Sequence, residues 1–169
     1  MHSRIYQLIP NQLDPENQKF LTVASLSDHE VPFADYIDDI REEDLPEEYQ
    51  WFKEVHKRFS RIVVKEDEAG HTLVIFKKGC QQEYFRGRWL DLKDKVDALT
   101  LEEFAMGVDA NGKWSHYQLL KIKELIEDRY AFYAYVDYPV TMDSFIRNLD
   151  FSKQNEYVYR LGGVVDYHF

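Results

Sequence analysis

Apolar residues change period several times along the chain, and each change marks an element. Residues 3–9 alternate enough to read as a strand, closed by Pro10. Asp14 followed by Pro15 has the form of an N-cap with proline at the first helical position, which predicts a helix over 16–26. Phe33, Tyr36, Ile37 and Ile40 fall at i, i+3, i+4 and i+7, the stripe of a second helix with Asp35, Asp38, Asp39 and Glu42 on its other side. Asp44, with Pro46 behind it and Glu47 three residues on, predicts the cap of a third helix whose stripe is Leu45, Tyr49, Phe52, Val55 and Phe59.

Residues 61–65 and 72–77 are rich in β-branched and aromatic types and enclose turn material at 66–71, which predicts a β-hairpin. Residues 81–96 read as strand first and helix later. Thr100 to Glu103 form a capping box for a short helix to 108, and Asp109-Ala110-Asn111-Gly112 is turn material. Ser115-His116-Tyr117-Gln118 forms a second box ahead of Leu119, Leu120, Ile122, Leu125 and Ile126. A strand is predicted at 130–138, stopped by Pro139, and a helix at 142–149 behind Thr141. Residues 157–161 and 164–169 flank Gly162-Gly163, the two-residue loop of a tight hairpin, which would set Tyr159 opposite Asp166 and Tyr157 opposite His168.

This order predicts an α+β fold. Its mostly antiparallel sheet is built from two β-hairpins, at about 61–77 and 157–169, plus the strand at 130–138, packed with several amphipathic helices. The 169 residues hold no repeat and no linker, so the expectation is a single domain, 1–169. Its N-terminal part, about 12–60, is acidic and helical; the remainder, 61–169, is mixed α/β.

Composition adds three constraints. At 44% apolar and 15% aromatic, the chain carries enough core-forming residues to exclude a disordered class. Its one cysteine, Cys80, points to a reducing, cytoplasmic setting. Neither the first residues nor the short apolar run at 131–136 has the length of a signal peptide or a membrane span, so no membrane is expected as a partner.

Charge is polarised along the chain. Of the net −10, residues 1–50 carry −9, residues 51–95 carry +4 and residues 96–169 carry −5. An acidic total argues against non-specific nucleic-acid binding, though not against a local basic site.

Nucleotide-loop, dinucleotide-binding, zincin and serine-hydrolase motifs are absent, and the six histidines are scattered, so no cofactor and no metal is expected. The turn at Asp109 fails as a calcium loop because Leu120 occupies its twelfth position. Three surfaces remain. Residues 35–48 hold eight acids and one base; Asp35, Asp38, Asp39 and Glu42 are either a dock for a basic partner or the solvated face of two helices. Residues 77–89 interleave bases with aromatics, so Arg86 and Arg88 either contact phosphates or belong to an edge strand neutralised by the N-terminal acids. Tyr133 and Tyr135 face either the core or a partner, including a second copy of the chain. Catalytic candidates are an Asp166–His168 pair on one strand face and Cys80 near Lys78.

The sequence alone does not determine the function. The expectation that fits best is a non-enzymatic intracellular protein that binds another macromolecule through its acidic helices or its tyrosine-rich sheet face. Two alternatives are nucleic-acid or phosphoester binding through 77–89, and an enzyme whose site assembles from distant residues.

Overall fold

The computed structural model describes residues 2–14, 17–27, 29–106, 116–127 and 130–169. The fold is α+β, with a mostly antiparallel sheet of seven strands and five α-helices among the described residues. The strands are β1 (His2–Pro10), β2 (Tyr36–Asp39), β3 (Ile62–Glu66), β4 (Thr72–Lys77), β5 (Tyr133–Tyr135), β6 (Pro139–Thr141) and β7 (Glu156–His168). Their order is β3-β4-β7-β1-β5-β6, with β2 also against β7. Among the described strand pairs only β1 and β5 run parallel. The helices are α1 (Leu45–His56), α2 (Cys80–Ala98), α3 (Leu101–Met106), α4 (His116–Ile126) and α5 (Met142–Arg147).

One face of the sheet packs on α1, α2 and α5, where Tyr6, Phe52, Phe76, Cys80, Tyr84 and Ile146 form the larger core. The opposite face carries Ile5, Val165, Tyr167 and Tyr133, and Leu21, Val31 and Phe33 cover it. The second aromatic face of the 130–138 region is thus closed by the chain's own N-terminal segment.

The hairpin at 61–77 forms as predicted, with Ile62 opposite Phe76. The capping box at Thr100 also forms: its Oγ1 accepts from Glu103 N (3.1 Å), and Glu103 Oε2 accepts from Thr100 N (2.9 Å). Thr141 caps α5 through Ser144 N at 3.2 Å. The turn at 109–112 lies outside the described residues, as do Ser115 of the second box and the last two residues of the helix predicted to reach 108.

Six local expectations are corrected. The helix predicted around Phe33 and Ile40 is instead β2, bonded along the end of β7 from Tyr36↔His168 to Asp39↔Val165. Aspartates at 35, 38 and 39 are poor helix-interior residues, and an open strand edge outcompetes a short helical stripe. The helix predicted over 16–26 is, among its described residues, 3-10 at Asn17 and at Val23–Ser25 and nowhere α-helical. Asp44 makes no capping hydrogen bond; a 3-10 turn at Glu42–Asp44 leads into α1 instead. Residues 81–96 are helical throughout, and their sequence holds no β-branched residue before Val96. The strand predicted at 130–138 shortens to β5, and Pro139 begins β6.

The sixth correction shapes the functional site. Gly162-Gly163 is no turn: β7 runs through it as one strand. The register passes from Tyr6↔Val164 to Leu8↔Leu161, so both glycines oppose Gln7 in a β-bulge. Neither glycine has positive φ. They are needed for close approach, because a Cβ at Gly162 would collide with Gln7 and one at Gly163 with the Leu21 backbone.

Candidate functional site

A cavity of about 540 Å³ lies where two strands share one edge of β7. Strand β4 pairs with that edge up to Leu73↔Arg160, and β2 takes it up again at Asp39↔Val165. Between them the edge is open to a notch. Tyr49 of α1 reaches into this gap and donates to the Gly162 carbonyl oxygen at 2.7 Å. Burial pushes the Tyr49 hydroxyl up to about 12, so it remains a donor.

The bulge also fixes the strap that borders the notch. Gln7, itself buried, accepts from Leu21 N and Gly163 N through Oε1, each at 2.9 Å, and donates from Nε2 to the Lys19 carbonyl at 2.9 Å. This one amide ties residues 19–21 to the centre of the sheet. It positions Phe20 at the cavity, where the ring is 49% exposed.

The wall is cationic, although the chain as a whole is acidic. Arg160 of β7, Lys53 of α1, Lys65 of β3 and His71 of the hairpin all border the cavity, with Glu66 the acid among its lining residues. Arg160 is 5% exposed. Its Nη2 donates to the Leu13 carbonyl, while Nε has no hydrogen-bond partner among the described residues. Among the described residues no carboxylate pairs with Arg160, Lys53 or Lys65. His71 is held by Asp67, whose Oδ2 lies 3.1 Å from Nδ1 and whose Oδ1 accepts from His71 N at 2.8 Å. A guanidinium cannot deprotonate to escape burial, so Arg160 is an uncompensated charge at a cavity wall. Ile9, Val64 and Leu161 supply apolar surface beside it. The arrangement can accept an organic anion of modest size.

The residues singled out from sequence fall elsewhere. Asp35, Asp38, Asp39 and Glu42 are exposed, Asp35 just before β2, Asp38 and Asp39 on it and Glu42 after it. Asp39 Oδ1 accepts from Val23 N at 2.6 Å, and Asp35 N donates to the His168 carbonyl at 2.7 Å. Arg88 turns inward from α2 to Asp143 (3.3 Å) and to the Leu125 carbonyl (2.7 Å), not to the acidic segment. Arg86 is exposed on the same helix. Tyr133 is buried and stacks on Phe33 at 4.0 Å, and Tyr135 is half-buried with its hydroxyl raised by burial and by Glu30 and Asp137.

Asp166 pairs with His2 (2.8 Å) and with Arg4. The His168 ring packs edge-on to His2 at 5.1 Å. The register that would have set Tyr159 opposite Asp166 and Tyr157 opposite His168 does not exist, because all four lie on β7. Cys80 is fully buried at the start of α2, and burial pushes its thiol up to about 11, which keeps it protonated and unreactive.

Sequence reasoning passed over Arg160, Lys53, Lys65, His71, Phe20 and Gln7. One signal was present: Arg160 interrupts the apolar run of β7 between Tyr159 and Leu161.

The fold and the notch define an α+β protein with a cationic cavity at a gap in its sheet. No family model matches the chain, and no curated protein or solved structure matches it. No helix among the described residues is long and apolar enough to cross a membrane.

Proposed function

We propose that the protein binds a small organic anion in the notch between β4 and β2, with Arg160 as the anchor. The observation that carries this reading is the burial of Arg160 beside a cavity without a carboxylate partner among the described residues. A charge held in that state is costly unless a ligand completes it. Calorimetric titration with a panel of small carboxylates and phosphates tests it. At least one member is expected to bind, and Arg160→Met is expected to weaken that binding about tenfold or more. Absence of binding across the panel at millimolar concentration overturns the reading.

A second reading, docking of a basic protein segment, is supported by β2. Among the described strands its only partner is β7, so its outer edge is unpaired and flanked by Asp35, Asp38 and Glu42. Capture of a basic partner at low salt, its loss at about 0.5 M salt, and its loss on Asp38→Lys are the expected results. Capture that ignores both changes removes this surface from consideration.

A further inference from the structure

The charge and shape of the notch narrow its ligand, an inference that rests on the anion-site reading above. Arg160, Lys53 and Lys65 bring three fixed positive charges to the cavity wall, and Glu66 returns one negative charge. A monoanion would leave part of this excess uncompensated, whereas a dianion would balance it. The three cations also stand on three different elements that line the cavity, β7, α1 and β3. That suits a head group with several acceptor oxygens pointing in different directions better than the single flat edge of a carboxylate. Beside them, Phe20 is half-exposed and contacts no other aromatic ring among the described residues. Gln7 holds its backbone in place through Lys19 and Leu21, so an open apolar platform is fixed next to the cationic pocket.

We infer that the notch takes a phosphomonoester, its phosphate dianion against Arg160, Lys53 and Lys65 and its flat apolar body on Phe20. Phenyl phosphate, benzoate and inorganic phosphate are the probes, titrated into the full chain at pH 8. There the phosphate, whose second pKa is about 6, is a dianion.

Phenyl phosphate is expected to bind about tenfold more tightly than benzoate, which shares its ring but carries one charge. It is expected to exceed inorganic phosphate, which has the charge without the ring, by a similar factor. Lys53→Met and Lys65→Met, both at exposed side chains, are each expected to weaken phenyl phosphate about threefold or more. Phe20→Ala is expected to lower its affinity and leave inorganic phosphate unchanged. Benzoate binding as tightly as phenyl phosphate, with Arg160→Met still weakening it, overturns the phosphomonoester and keeps the anion site. Phenyl phosphate insensitive to both lysine variants overturns the placement of the phosphate. No binding of any of the three probes overturns the inference, and the wider panel then decides the anion site itself.

Discussion

Arg4 and Arg160 stand on neighbouring strands, β1 and β7, and both are largely withdrawn from solvent, yet their surroundings are opposite. Arg4 Nε lies 3.0 Å from Glu48 Oε2, its Nη1 pairs with Asp166, and its guanidinium lies over the Trp51 ring at 5.4 Å. Those two carboxylates raise its pKa against the opposing effect of burial. Arg160 is more deeply buried and meets one backbone carbonyl. His56 of α1 completes the comparison. It is 2% exposed, stacked on Phe52 at 4.2 Å, and burial holds its pKa down at about 4, so it sits in the core uncharged. A buried base can be paired, as Arg4 is, or neutral, as His56 is. Arg160 is neither, and a guanidinium has no neutral form to retreat to. That difference separates an arginine that holds the fold from one that awaits a ligand.

The largest expected effect falls on the paired member. Arg4→Met removes the cation that Glu48 and Asp166 share, and both side chains are mostly buried. A loss of about 3–5 kcal/mol in unfolding free energy is expected, measured by urea denaturation at pH 7. A loss under about 1 kcal/mol would break the comparison, because Arg4 would then be as dispensable as an exposed ion pair.

The neutral member gives the next effect, and its sign follows from the direction of the shift. The fold holds the His56 pKa below the ordinary value of 6.5, so the unfolded chain binds more protons between about pH 6.5 and 4. Stability is therefore complete above 6.5 and falls as the pH drops through that window. The expected loss is about 2 kcal/mol between pH 7 and pH 5, and about 3 kcal/mol by pH 4. The Nδ1 hydrogen bond to the Phe52 carbonyl at 2.8 Å can be kept by a neutral imidazole, which is why the uncharged form suits this site. His56→Leu should flatten the slope between pH 7 and pH 5. A variant that keeps the slope would assign it to another group.

How far these features were legible in the sequence depends on how local their cause is. The 61–77 hairpin, the stripe of α1 and the box at Thr100 rest on residues a few positions apart, and each was readable. The helix expected around Phe33 was not, because the decisive partner of Tyr36 is His168, at the other end of the chain. Gly162-Gly163 failed for a related reason. Glycine serves both for a turn with positive φ and for tight packing, and only the neighbours Gln7 and Leu21 distinguish the two uses. The notch itself exists because β4 and β2 divide one edge of β7 between them. No stretch of sequence records that division, so Lys53, Lys65 and His71 looked like ordinary surface residues.

The smallest expected effect is on Arg160, and it is the sharpest test of the contrast with Arg4. Arg160→Met removes a buried charge that no carboxylate among the described residues pairs with, at the cost of one hydrogen bond to the Leu13 carbonyl. Methionine fills much of the same volume without needing a partner. The lost hydrogen bond and the relieved charge oppose each other, so stability is expected to change by less than about 1 kcal/mol in either direction. A loss as large as that of Arg4→Met would make Arg160 a structural residue and remove the ground for a ligand in the notch. A near-neutral or stabilising change, together with lost anion binding, means the charge is maintained against the interest of the folded chain alone. That trade is expected of a binding residue and not of a packing one.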